Sequence, residues 1–401
     1  MIKKLLKEKI LIGGWVSPWP KKIMGKDYIT EETYRQVKAC GIDFLHTLYE
    51  KDDNVDFLQA LDCAEKAGVY LYIHDDRFFK GKFTLEEGRQ WIRELSKKKS
   101  FLGVNVKDEP CINDFENLKN IVEKYGSDSE IYINLLPVYA IGSQLIDGIW
   151  LNGAEATEEE YETYLNKFLE TVPVNVLSYD FYPFKDLTYG SLDKRYFYQL
   201  HISKKLADER NLPLWNFVQV TAFNNEIRIM SDAEIWWCIT TSVAFGVTCL
   251  QYFTYFTPVD SSTESFKGAI IDENGNTTER YECVTECNKH LNSLGNRLID
   301  ARFDGVLADG EYSELIPDER KLNNYDGIEK VEGKDYLIGC FEKEGKKLYY
   351  VVNPSLCNES EITITFEDSA VREIIDGEDV RKEEIKTVTK KLLSGRAILI
   401  A

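Results

Sequence analysis

The chain has 401 residues, 43% hydrophobic and 29% charged, and Asp plus Glu (68) outnumber Lys plus Arg (49), for a formal net charge of −19. That composition excludes a disordered chain, and a length of this order predicts two or three domains, or one large barrel with an appendage. The acidic balance excludes a phosphate-tracking surface, so no nucleic-acid partner is expected, and it disfavours binding to an anionic membrane.

The basic stretch 1–9 leads into an apolar run, 10–14, too short for a signal-peptide core. No run reaches the ~20 apolar residues of a membrane span, and a cytoplasmic protein is expected. Short β-branched and aromatic runs then recur at 10–15, 43–49, 69–76, 101–109, 131–136, 174–182, 214–220 and 248–255. The first is the weakest, because of Gly13 and Gly14.

Amphipathic helical patterns lie between the runs. Thr84-Leu85-Glu86-Glu87, Thr157-Glu158-Glu159-Glu160 and Ser231-Asp232-Ala233-Glu234 predict capping boxes, in which hydroxyl and carboxylate satisfy free N–H groups reciprocally. Gly41, Gly68 and Gly246 sit where helices should stop, and a last helix is expected over about 279–299. Eight strand–helix units predict an α/β chain, a (β/α)8 TIM barrel over residues 1–304. A doubly wound sheet would favour a Gly-rich phosphate loop, and neither GxGxxG nor GxxxxGK[ST] occurs. Beyond residue 300 the rhythm changes to strands at 336–342, 347–352, 361–366 and 396–400, predicting a small all-β sandwich domain over 305–401 with a structural role.

Nine cysteines are scattered with no CxxC pair, which reads as reduced core thiols. No cofactor and no metal are expected: His46, His74 and Asp76 are metal-ligating types, but their spacing is not diagnostic. His201 and His290 fall on outer helices and are expected at the surface.

Barrel chemistry sits at the carboxyl ends of the strands, and side chains alternate between the interior and the helix layer. Parity puts Asn105, Lys107 and Glu109 on one face, taken as the interior, with Asp108 facing away unless the strand has ended. It groups Ser178, Asp180 and Tyr182; Tyr72, His74 and Asp76; and Tyr132 with Asn134. The expected polar rim is therefore His74, Asp76, Glu109, Asn134 and Asp180, with His46 from the second strand. Aromatics cluster at or after strand ends: Trp15, Trp19, Tyr49, Trp150, Tyr182, Trp215, Phe217, Tyr252 and Tyr255. Flat aromatic faces suit the C–H faces of sugar rings, and carboxylates and amides bind hydroxyls.

Lys107-Asp108-Glu109-Pro110, ending the fourth strand, resembles the Asn-Glu-Pro motif of the large clan of (β/α)8 glycoside hydrolases, with Asp108 in place of Asn. The resemblance implies a general acid/base at Glu109, and a barrel followed by a β-sandwich is common in that clan. It also implies a nucleophilic Glu at the end of the seventh strand, where Leu214-Trp215-Asn216-Phe217-Val218-Gln219-Val220 has no carboxylate. Glu109 as acid with Asp180 as second carboxylate is the leading mechanism, and Asp76 is the reserve. The expected substrate-binding set is Trp15, Trp19, His74, Asp76, Asp108, Asn134, Tyr182, Trp215, Gln219 and Tyr252.

Two alternatives accompany that reading. Asp108-Glu109 resembles the catalytic pair of hexosaminidases that use the substrate's own acetamido group, and Tyr179-Asp180 resembles the sixth-strand pair of chitinase-like enzymes. The other alternative is a catalytically degenerate barrel that binds glycans. The expected function is a cytoplasmic glycosidase with a small glycoside or oligosaccharide as its carbohydrate partner, and a homo-oligomer is compatible with the sequence. The excursion 141–156 around Trp150 is expected to shape access to the site.

Overall fold

Parallel strands are covered on both faces, which is why the eight runs read as near-continuous apolar stretches. The computed structural model describes residues 2–48, 54–149, 153–185, 192–224 and 227–401, so Tyr49 and Trp150 lie outside the described residues. Each run marks one strand. These are β1 (Leu11–Gly14), β2 (Phe44–His46), β3 (Tyr70–His74), β4 (Phe101–Asp108), β5 (Glu130–Asn134), β6 (Leu177–Asp180), β7 (Leu214–Gln219) and β8 (Cys249–Phe253). They form one parallel sheet in the order β5-β4-β3-β2-β1-β8-β7-β6. The barrel closes where Leu135, just past β5, bridges in parallel to Tyr179 of β6 and its N–H reaches Ser178 O at 2.9 Å.

The surrounding helices are α1 (Glu31–Ala39), α2 (Asn54–Ala67), α3 (Leu85–Leu95), α4 (Phe115–Tyr125), α5 (Glu158–Thr171), α6 (Tyr196–Glu209), α7 (Asp232–Ala244) and α8 (Arg280–Leu294). All three expected capping boxes form, at the starts of α3, α5 and α7. α1, α2 and α7 give way to Gly41, Gly68 and Gly246, which hold the left-handed φ that ends a helix cheaply only at glycine.

Packing inside the barrel explains the two consecutive glycines of β1. A Cβ on Gly13 would lie 2.4 Å from Cζ of Phe44. The Phe44 ring fills the barrel bottom with Tyr72 and Trp215, both at 5.6 Å between centroids. His46 stacks on Tyr72 one layer higher, at 5.1 Å and 9°.

The last barrel helix ends at Leu294, and the C-terminal region begins with β9 (Arg302–Asp309). It continues with β10 (Ile328–Glu332), β11 (Tyr336–Lys343), β12 (Lys346–Val352), β13 (Ser360–Asp376), β14 (Asp379–Leu392) and β15 (Ala397–Ile400). These strands make one antiparallel sheet, β9-β11-β12-β15-β13-β10, with β14 paired along β13. One face joins the barrel's core through Leu337, Phe341 and Tyr350, and the other encloses its own cluster of Ile338, Val351, Phe366 and Ile398. His290 and His201 are buried at this junction rather than on the surface: Nε2 of His290 meets Tyr350 Oη at 2.7 Å, and Arg320 donates to Nδ1 of His201 at 3.1 Å.

Among the described residues no helix is long and apolar enough to cross a membrane. All nine cysteines are free.

Candidate active site

The end of β4 departs from simple alternation. Along β5, Asn105 pairs with Tyr132, Lys107 with Ile133 and Asp108 with Asn134, so Val106 is an extra residue in the ladder. Such a bulge reverses parity beyond it. Asp108 therefore faces inward with Asn134, and Lys107 swings out until its Nζ lies 5.2 Å from the Phe79 ring centroid. Glu109 then takes φ +48°, a left-handed value uncommon for a non-glycine residue, while its N–H still pairs with Asn134 O at 2.9 Å. With Pro110 next, that turn brings the Glu109 side chain to the cavity beside Asp108. The expectation that Asp108 faces away and Lys107 faces in is thus corrected by one inserted residue.

Across the barrel, β6 supplies Asp180. The Asn134 amide donates to Asp180 Oδ1 at 2.9 Å and to Asp108 Oδ1 at 3.3 Å, so one nitrogen ties the two aspartates together. The three carboxyls lie at the floor of a cavity of about 830 Å³, also bordered by Asn134, Trp15, Trp19, Tyr139, Tyr182, Phe217 and Phe253. Trp15 packs on His46 at 4.9 Å and meets Phe217 edge-on at 5.7 Å. Trp19 is fixed by donating from Nε1 to Thr257 O at 3.1 Å. Tyr182 lies against Phe253 at 4.9 Å. A small ribbon after β7 and β8, Ala222–Phe223 paired with Phe266–Lys267, adds Phe223, Phe266 and the nearby Glu264 to the rim.

Burial dominates the acid–base character of this floor. It pushes Asp108 up to about 6, against the pull of the Asn134 hydrogen bond and the Lys107 charge. Burial and then the Asp108 charge push Asp180 up to about 8, while Asn134 and Tyr182 donate to it and pull it down. Glu109 is held well above the usual carboxylate range by burial first, then by Asp180 and Asp108, with Lys107 opposing. Three carboxyls in one low-dielectric pocket cannot all ionise near neutrality, so the floor retains a proton.

Seven of the twelve residues expected from sequence border this cavity: Glu109, Asp180, Asp108, Asn134, Trp15, Trp19 and Tyr182. The others lie elsewhere. β3 ends at His74, and Asp75 caps a short helix, Asp76–Phe79, so Asp76 leaves the interior face and pairs with Lys80. His74 sits behind Trp15, their ring centroids 6.2 Å apart and edge-on. Trp215 is one layer too deep, packed on Phe44 and on Tyr132 at 5.8 Å. Tyr252 faces the helices and donates to Asn288 of α8 at 2.7 Å. Gln219 is taken up by backbone: its Oε1 accepts from Phe184 N at 3.2 Å, and its Nε2 donates to Phe184 O and Arg228 O at 3.1 and 2.9 Å. Sequence reasoning missed Tyr139, Phe253 and Glu264 in the cavity and Gln251 beneath it; β8 parity, with Gln251 and Phe253 on one face, carried the signal for two of them.

No family model and no curated protein matches the chain. Solved structures do. The β-galactosidase of Bacillus circulans sp. alkalophilus superposes with a TM-score of 0.60 at 11% identity, over 98% of this chain and 98% of that one. A catalytic mutant of a GH42 β-galactosidase from G. stearothermophilus gives 0.58 at 9% identity, again over 98% of each. The fold is shared. Against the β-galactosidase of the psychrophilic Marinomonas ef1, the chain aligns over 71% of its own length and spans 60% of the other, with a TM-score of 0.48 at 11% identity. At such identities the likeness establishes architecture, a (β/α)8 barrel with a C-terminal all-β region, as the sequence predicted.

Proposed function

We propose that this chain is a glycoside hydrolase acting on a small glycoside or oligosaccharide, with Glu109 as general acid and Asp180 as the second carboxylate. The observation that carries the proposal is the gathering of Asp108, Glu109 and Asp180 at the floor of one aromatic-walled cavity at the carboxyl end of the barrel. A general acid must be protonated at working pH, and burial among like charges supplies that for Glu109. Protonated Glu109 gives its proton to the glycosidic oxygen as the C–O bond breaks. Asp180 takes a proton from water, whose oxygen forms the new bond to the anomeric carbon. Trp15, Trp19, Tyr182 and Phe253 offer faces for the sugar's C–H groups, and Asn134 and Asp108 offer partners for its hydroxyls.

The inward turn of Asp108 favours a second reading, because strand parity no longer separates it from Glu109. Asp108 would then orient a 2-acetamido group that attacks the anomeric carbon while Glu109 protonates the leaving group. The test is a panel of nitrophenyl glycosides, N-acetylhexosaminides included, cleaved by the wild type and by Glu109→Gln. Loss of about 10²–10⁴ in rate for the variant supports Glu109 as acid. Inversion in the first-formed anomer supports Asp180, and retention confined to acetamido sugars supports Asp108. Glycan binding with no cleavage of any bound sugar would replace both readings with a glycan-binding barrel.

A further inference from the structure

Below the three carboxyls, six polar side chains from five strands form one continuous hydrogen-bonded chain through the barrel. Asn105 Nδ2 reaches His46 Nδ1 at 3.3 Å, and His46 Nε2 reaches Gln251 Oε1 at 2.8 Å. Gln251 Nε2 donates to Tyr132 Oη at 3.0 Å and to Ser178 Oγ at 3.3 Å, and Tyr132 Oη lies 2.7 Å from Ser178 Oγ. Ser178 donates to Asn134 Oδ1 at 3.0 Å, and Asn134 Nδ2 donates to both Asp108 and Asp180. An ionised carboxylate only accepts, so Asn134 must present its NH2 to the two aspartates and its oxygen to Ser178. Ser178 must then spend its hydrogen on Asn134 and accept from below. That direction propagates down to His46, which burial keeps neutral by driving it down to about 3 and which then carries its hydrogen on Nε2.

We infer that this one-way chain, acting through Asn134, sets the order in which the three carboxyls release their protons: Asp108 and Asp180 before Glu109. The two aspartates each receive an amide hydrogen, which favours their charged forms, and among the described residues no side-chain donor stands with the groups that act on Glu109. The other groups facing the cluster do not offset this difference: Lys185, Glu155 and Asp260 also line the cavity, but none ranks among the leading influences on Asp108, Asp180 or Glu109. Lys107 on β4 attracts Asp108 and Glu109 alike, and Glu264, beyond β8, opposes ionisation of Glu109. Tyr132, Tyr179, Tyr139 and Tyr182 border the aspartates from β5, β6 and the loops above, and Tyr161 and Tyr164 from α5; burial keeps all six neutral. Asn134, Ser178 and Gln251 are thus positioning residues for a division of labour between charge and proton. The catalytic consequence rests on the hydrolase reading, but the titration belongs to the cluster alone.

The experiment is a carboxyl-¹³C NMR titration of the full chain, with Asp108→Asn, Glu109→Gln and Asp180→Asn assigning the signals. The expected wild-type order is both aspartates first and Glu109 last. In Asn134→Leu both aspartate midpoints should rise by about one pH unit or more, the tenfold change expected on losing a hydrogen bond to a charged group. Ser178→Ala, which leaves the amide in place, should move them the same way by less. If Glu109 ionises first in the wild type, or if the folded variants keep wild-type midpoints, the inference is overturned. The glycoside panel separates the two ideas: the expected titration order without cleavage of any sugar leaves the inference standing and removes the hydrolase reading. Cleavage with the wrong order does the reverse. With an active enzyme, Asn134→Leu should also narrow the pH profile from both sides, because Glu109 loses its proton more easily once its neighbours hold theirs.

Discussion

Asp108→Asn should make the protein more stable at alkaline pH and leave it nearly unchanged in acid. The Asp108 carboxyl is raised from 3.8 to about 6 in the fold, because burial disfavours its charge. Its contribution is most favourable below the unfolded value of 3.8, where it is neutral in both states, and is lost as pH rises through about 6. Above that, holding the buried charge costs at most about 3 kcal/mol, and the Asn134 hydrogen bond survives because asparagine keeps an acceptor oxygen. Sharing of charge with Asp180 and Glu109 reduces the figure to roughly 1–3 kcal/mol. Spread over the unfolding entropy of a chain this long, that corresponds to a rise of roughly 1–4 °C in melting temperature. Urea and thermal unfolding of wild type and variant at pH 4 and pH 8 supply the measurement. A gain as large at pH 4 as at pH 8, or a loss at pH 8, would refute the reasoning, since either result means that charge burial at Asp108 is not what the substitution relieves.

Other outcomes follow from the same geometry. On a cleaved glycoside, the acid limb of kcat/KM should lie across roughly pH 6–8 rather than near 4, because the carboxylate that must ionise is pushed up to about 8; a limb near 4 would remove Asp180 from that role. Trp19→Ala, which deletes one wall of the cavity, should raise KM about 3–10-fold with little change in kcat, and an equal fall in kcat would assign Trp19 to the transition state instead. Gly13→Ala should destabilise by about 1–3 kcal/mol in urea unfolding, since three Phe44 ring atoms lie within 3.0 Å of the new Cβ and the ring is boxed in by Tyr72 and Trp215.

The barrel was legible because each of its strands is a short apolar run between capped helices, and local chemistry alone marks both. The charged strands of the C-terminal sheet were not. β10 and β14 carry Arg, Asp, Glu and Lys at most positions, and β9 is interrupted by a register shift at Gly305; they gain their order from partners such as β11 and β13, which no local pattern announces. In the site, Asp180 was readable from parity, whereas Glu109 was marked by the proline stop alone, because the bulge reverses parity and a left-handed turn returns its side chain to the cavity. Asp108 was not, because a bulge is a property of two strands: only the pairing with β5 shows that Val106 is surplus. Trp215 shows the complementary limit. Parity separates inside from outside but does not give height along the barrel axis, and Trp215 points inward at the wrong level.

The tethering of Gln219 bears on how this barrel could change. A single-base substitution could turn Gln219 into glutamate and place a carboxylate at the end of the seventh strand. The side chain, however, sits between the Phe184 and Arg228 carbonyls, and a carboxylate there would face two lone-pair-bearing oxygens in place of the hydrogens they now receive. Such a variant would strain the loops after the sixth and seventh strands before it gained any chemistry. The end of the seventh strand thus serves as a strut for those loops, and a carboxylate could be installed there only by rebuilding the anchorage first.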